Sequence, residues 1–211
     1  MYRVADITSA GGKMIIKLEI SDGYSDEAVF TVGREFCPFE IEMGDEISEM
    51  EMSRLEEAHL ITEAFEKALN ALSYTPHSKV SLAGKLTTKY KIEKNYAETA
   101  ASYCAVRGYI DEESQAKRIA ENCQRSKNYG PRRIAAELIS KGYEKKAVQS
   151  ALDSISEGVH DAAYRALLRK TKAYPVDRET GAKIKAALTR MGHSPSVIET
   201  AFETLREQED E

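Results

Sequence analysis

The sequence predicts a mainly α protein: three tandem three-helix, helix-turn-helix-like repeats in an extended curved array, preceded by a small antiparallel β segment. Three observations predict it. An alternating apolar stretch near the N-terminus gives way, from about Asp45, to helical periodicity that continues to Leu205. That helical pattern recurs, with steps of 52 residues from Leu86 to Leu138 and 50 from Leu138 to Leu188. Clusters of Gly, Pro and Ser punctuate it at the same interval, which is how a helical repeat array is written.

The β segment comes first. In "MIIKLEI", Met14, Ile16, Leu18 and Ile20 share one face, while Ile15, Lys17 and Glu19 share the other. "SAGG" (Ser9 to Gly12) and "SDG" (Ser21 to Gly23) supply residues that tolerate turn geometry. Strands are therefore expected near Tyr2–Ile7, Lys13–Ile20 and Ala28–Val32. Three short strands bury little alone, so a following helix must cover one face. That helix is "EEAHLITEAFEKALNAL", with Leu60, Ala64, Ala68 and Leu72 on one stripe and Ile61, Phe65 and Leu69 beside it.

Each repeat then has a middle helix marked by a one-turn apolar pair: Leu82/Leu86, Ile134/Leu138 or Ile184/Leu188. Gly142 and Gly192 suit the left-handed residue just past a helix end, where a side chain would cost about 1 kcal/mol. Ser194-Pro195 reads as a cap and first helical position, Gly130-Pro131 marks the same event in the second repeat, and Asp177 caps its counterpart in the third. The first repeat departs from the pattern: Tyr90 stands where the glycine belongs, so its middle helix ends differently or runs on. The implied organisation is a β meander over 1–50, a linking helix and first repeat over 51–111, a second repeat over 112–157, a third over 158–206, and an acidic tail over 207–211.

The 211 residues are 42% hydrophobic and 31% charged, the balance of a soluble globular protein. No apolar run approaches the ~20 residues of a membrane span and no signal-peptide pattern opens the chain, so a cytoplasmic protein without membrane contact is expected. Nothing resembles a coiled-coil seam, and a monomer is expected. Net charge is -5, but it is divided. Residues 1–62 hold 5 Lys/Arg against 14 Asp/Glu, whereas residues 63–206 hold 25 against 17. Such asymmetry points the helical part towards an acidic partner or nucleic acid.

Signs of chemistry are few. Cys37, Cys104 and Cys123 form no C-x-x-C pair, and Cys104 and Cys123 read as buried small hydrophobes. Neither a phosphate-cradling G-x-x-x-x-G-K-[ST] nor a G-x-G-x-x-G motif occurs. His59, His77, His160 and His193 are dispersed, and His193, following a turn glycine, reads as a surface residue. No catalytic, cofactor-binding or metal-ligating residue is expected, and no enzymatic activity. Tyr90, Tyr96, Tyr103 and Tyr109 read as core residues with the hydroxyl at the rim, with base stacking as the alternative. Glu112-Glu113 at a helix start is explained by the macrodipole. The paired Arg132 and Arg133 also start a helix, with basic residues at or near matching places: Lys79 and Lys85 in the first repeat, Lys183 and Lys185 in the third. With Lys141 these are the candidate partner-binding residues. Solvated helix faces, a partner-binding ridge and phosphate contacts to DNA all remain open.

The second repeat resembles the RecX regulators of the RecA recombinase. Gly130, Ile134, Glu137, Leu138, Lys141 and Gly142 fit that family's G-x-x-x-I-x-x-E-L-x-x-K-G core. "ALNALSYTPHS" (Ala68 to Ser78) is similar to the stretch leading its first repeat, and "RGYIDEESQA" (Arg107 to Ala116) resembles its link into the second. The resemblance runs from about Ala64 to Leu205, and the β segment is similar to an extension in some members. The chain departs from the family at Gln115, where an aromatic is usual, at Lys79, where an acidic residue is usual, and at Tyr90. The resemblance implies a non-enzymatic modulator without cofactors. It would bind in the groove of the RecA filament on single-stranded DNA and inhibit ATPase, strand exchange and coprotease activities. The alternative is a nucleic-acid-binding protein using tandem helix-turn-helix-like modules, and weak direct DNA contact fits either.

Overall fold

The computed structural model describes residues 2–20, 27–171 and 178–209. The turn expected at Ser21–Gly23, the cap expected at Asp177 and the last two tail residues lie outside the described residues. The chain forms two compact units, Met1–Ile110 and Asp111–Glu211.

In the first unit, β1 (Tyr2–Ala10), β2 (Lys13–Ile20), β3 (Glu27–Gly33) and the short β4 (Glu46–Ile47) form an antiparallel sheet in the order β3-β2-β1-β4. Gly11 and Gly12 make the first turn at φ 59° and 82°, angles a side chain would resist. The expected alternation holds: Ile16 and Leu18 are fully buried, with Val4, Phe30, Val32 and Ile47 in the same core. β4 is an addition, because two residues carry no periodicity that a sequence could show.

The helix α1 (Glu49–Tyr74) opens with a reciprocal cap, Ser48 to the Glu51 N–H and the Glu51 carboxylate back to Ser48. At 26 residues it is about 39 Å long, enough to serve two cores. Leu55 and Ala58 cover the sheet, whereas Ala64, Phe65, Ala68 and Ala71 pack into the first repeat. The buried stripe is turned slightly from the expected one: Ala64 and Ala68 are buried, but Leu60 and Leu72 are only half-buried while Ala58 and Thr62 face inward. The reason is the sheet, which draws on the other side of the helix. The α1 side chains also close the outer edge of β3. His59 Nδ1 lies 3.1 Å from Thr31 N and 2.9 Å from Thr31 O, its role set by the imidazole tautomer, and Thr62 Oγ1 accepts the Gly33 N–H at 2.9 Å.

The first repeat is completed by α2 (Lys79–Tyr90) and α3 (Lys94–Val106). Leu82 and Leu86 are fully buried against Ala97, Ala100, Ala101 and Cys104. Burial drives the Cys104 thiol up to about 11, so it is an inert small hydrophobe. Tyr90, Tyr96 and Tyr103 are half-buried on this core, whereas Tyr109 is exposed. The α2 helix does run on through Tyr90, and Lys91 takes the left-handed position at φ 61°.

The second unit contains α4 (Glu112–Lys127), α5 (Pro131–Ser140) and α6 (Lys145–Ser154), then α7 (Val159–Thr171), α8 (Arg178–Arg190) and α9 (Pro195–Glu209). Asp111 caps α4 by accepting the Ser114 N–H at 3.0 Å, with Glu112 and Glu113 in the first turn. Ile134 and Leu138 centre one core; Ile184 and Leu188 centre the next. Gly142 and Gly192 are left-handed at φ 78° and 92°. The residue after each folds back: the N–H of Tyr143 reaches Leu138 O, and that of His193 reaches Leu188 O, both at 3.2 Å.

Candidate interaction surface

The opening of α5 is held by the closing turn of α8, in the next repeat. Gly130 N–H donates to Met191 O at 2.8 Å, Arg132 N–H to Gly192 O at 3.3 Å, and Arg133 Nη1 to Arg190 O at 3.3 Å. Three successive carbonyls at a helix C-terminus, which the helix itself cannot satisfy, thus find donors. The Arg133 guanidinium also complements the negative end of the α8 dipole. Backbone must pass very close here. A Cβ on Gly130 would lie 2.5 Å from Gly192 C, and one on Gly192 would lie 2.4 Å from Arg133 N.

Beneath this joint, Asn128 ends α4 in the left-handed region at φ 54° and is fully buried. Its backbone oxygen accepts from His193 Nε2 at 3.0 Å, and its Oδ1 accepts from Arg165 Nε at 3.2 Å. His193 is therefore buried, at 0% exposure, and the surface position expected for it is corrected. The register explains why: His193 matches Tyr143, the fold-back residue of the second repeat, which is also buried. Burial holds the imidazole below its ordinary pKa. Its Nδ1 and Asn128 Nδ2 have no partner among the described residues.

On the outer side of α5 two adjacent concavities share Glu137. One, about 540 Å³, is lined by Arg132, Arg133 and Arg190 with Ala136, Ser140, Thr189 and Gly192. The other, about 550 Å³, is lined by Arg118, Arg125, Lys127 and Lys141, with Glu121 as its further carboxylate. Arg132 and Arg190 make no side-chain hydrogen bond or ion pair among the described residues. Arg133 lies 4.4 Å above the Tyr129 ring, and Lys127 lies 5.4 Å from the same ring. Glu137 is engaged by Lys127 Nζ at 3.5 Å. Seven cations against two carboxylates make this a surface of positive potential suited to a polyanionic or acidic partner.

The remaining candidates lie elsewhere. Lys183 is bridged to Glu179 on its own helix at 2.6 Å; Lys185 is bridged to Glu199 at 2.6 Å and covers the Phe202 ring. In the first unit, Lys85 Nζ is 3.0 Å from His77 Nε2, and Lys79 borders a groove between α2 and α3. Burial, then the Lys85 ammonium, lowers the His77 pKa. Sequence reasoning missed Arg190, Lys127, Arg118 and Arg125. Arg118, Asn122 and Arg125 are spaced i, i+4, i+7 on α4, which was a usable signal; Arg190 joins Arg132 only through the fold. No group of three His, Cys, Asp or Glu able to hold a metal occurs among the described residues. No helix among them is long and apolar enough to cross a membrane.

Comparison with known proteins agrees with this architecture. No family model matches the chain. Regulatory protein RecX of Herbaspirillum seropedicae is 31% identical over 145 residues, spanning 69% of this chain and 92% of its own length. Regulatory protein RecX of Chlorobium limicola is 30% identical over 149 residues, 70% of this chain and 92% of its own. A crystal structure of regulatory protein RecX superposes with a TM-score of 0.78 at 22% identity, over 96% of this chain and 100% of that one. RecX from Lactobacillus salivarius gives 0.63 at 21% identity over 70% and 97%. The two structures share the fold; the sequence relationships show the family. The chain belongs to the RecX family of regulatory proteins.

Proposed function

We propose that the chain regulates the RecA recombinase by binding the RecA filament on single-stranded DNA, and that it inhibits the filament's ATPase, strand exchange and coprotease activities without catalysing a reaction. Membership of the RecX family carries this reading. The cation-lined surface around α5 supports it, because a filament of protein and DNA offers repeated negative charge. Contacts spread over several helical modules add through effective concentration, so modest individual terms suffice for a firm complex. Lys79, Lys85, Arg132, Arg133, Lys141, Lys183 and Lys185 are the contacts proposed from sequence. Arg118, Arg125, Lys127 and Arg190, which line the same concavities, are proposed alongside them.

The test is the RecA ATPase on single-stranded DNA, titrated with this protein. Inhibition that saturates well below one protein per several RecA subunits, or with them, supports the reading; an unchanged rate at excess sinks it. A second reading, direct nucleic-acid binding, is favoured by the same concavities. Binding to bare single-stranded DNA as tight as binding to RecA-coated DNA would select it instead.

A further inference from the structure

Gly84 has no reason within the molecule to be glycine. It lies inside α2, where glycine is the least favourable residue apart from proline. A Cβ built on it meets nothing within 4 Å, and its backbone needs no left-handed angle. The second and third repeats place alanine at the matching positions, Ala136 and Ala186. The contrast with Gly130 and Gly192 is direct, because there the backbone passes where a side chain would be.

Gly84 lies in a groove of about 620 Å³ between α2 and α3, whose accessible surface is mostly apolar. Val80, Ala83 and Thr87 line it along α2, and Val80 is 59% exposed despite its aliphatic side chain. The wall contributed by α2 runs from Lys79 to Thr88, about 14 Å at helical rise, or two to three turns. The surrounding charge is mostly positive: residues 79–98 hold five lysines and two glutamates, and Glu98 in the lining pairs with Lys94 at 3.7 Å.

We propose that this groove seats an amphipathic helix of a partner protein, with aliphatic anchors facing Val80 and acidic residues towards the flanking lysines. Its backbone passes over Gly84, where a side chain would hold it off. A short helix laid into a groove reads as anchors at i, i+3, i+4 and i+7, which matches the length available. The lysine excess selects an acidic helix over a basic one. This rests on the reading of the chain as a regulator that docks on RecA, and names the chemistry of one contact.

The experiment uses the full chain and its Gly84→Ala and Gly84→Leu variants. Binding is measured to RecA filaments on oligo(dT), to RecA without DNA and to oligo(dT) alone, alongside thermal melting. Because the space above Gly84 is open, both variants should melt no lower than the unmodified chain. Gly84→Leu should bind RecA filaments at least tenfold more weakly, with Gly84→Ala between. Equal binding of Gly84→Leu and the unmodified chain overturns the proposal, as does a loss confined to oligo(dT) alone, which would make the occupant nucleic acid. If the unmodified chain binds no RecA in either form, the functional reading fails and this proposal falls with it; in the other failures only the groove is lost.

Discussion

Replacing Gly192 with alanine tests the joint between the second and third repeats. Two separate effects act there. The first is conformational: at φ 92° a residue with a Cβ costs about 1–2 kcal/mol. The second is steric, because the new carbon would lie 2.4 Å from Arg133 N, 2.7 Å from Arg133 Cβ and 3.0 Å from Gly130 O. These are backbone and near-backbone atoms that cannot swing aside, and overpacking of this kind costs about 1–3 kcal/mol. Relieving it means stretching the Gly130–Met191 and Arg132–Gly192 hydrogen bonds, so their loss belongs to the same cost. The expected total is about 2–5 kcal/mol. Gly108→Ala is the reference, since Gly108 has φ 77° but nothing within 4 Å of a built Cβ; it should cost only the conformational part, about 1–2 kcal/mol. Equilibrium urea unfolding, followed by far-ultraviolet circular dichroism for the unit carrying each change, reads the difference. With a slope of about 2 kcal/mol/M, the midpoint should fall by about 1–2.5 M for Gly192→Ala and by about 0.5–1 M for Gly108→Ala. Equal losses would refute the close backbone approach.

Leu138→Ala, at a fully buried position, should cost about 2–5 kcal/mol in the same assay. Stability should fall in mild acid. Burial lowers the folded-state pKa of His193 below its ordinary 6.5, so the unfolded chain binds the proton more readily. The stabilising contribution is whole above about pH 6.5 and is lost as pH falls towards the folded value. His77 shifts in the same direction, so the His193 share is the difference between the unmodified chain and His193→Gln in melting temperature from pH 8 to 5; parallel curves would refute it. Arg132→Glu with Arg133→Glu should weaken inhibition of the RecA ATPase about tenfold, or ~1.4 kcal/mol, with the helical dichroism signal unchanged; normal inhibition would remove these two residues from the interface.

Much of the fold was legible because local patterns and tertiary packing agree. Leu82/Leu86, Ile134/Leu138 and Ile184/Leu188 repeat at one spacing, and each pair is buried where the spacing places it. The left-handed glycines at 142 and 192 were readable for the same reason, since the chain marks its own helix ends. What was not legible depends on residues far apart in sequence. The arginine pair suggested an outward ridge, yet Arg133 is partly spent on Arg190 O, 57 residues away. His193 looked like a loop residue until the previous repeat closed over it. The concavities around α5 draw on α4, α5 and the α8 turn together, so no single stretch announces them.

The way α1 finishes the sheet bears on what the border of β3 leaves for another strand. An open outer strand invites another chain to lengthen the ladder, and the invitation is made by its unspent N–H groups. Here Gly33 offers its own to the Thr62 hydroxyl, and the backbone of Thr31 meets the His59 imidazole, both from the same polypeptide. A neighbouring molecule arriving at that border must first displace a helix anchored in two cores. Self-association by strand exchange is thereby discouraged on that side at high concentration, without reliance on surface charge.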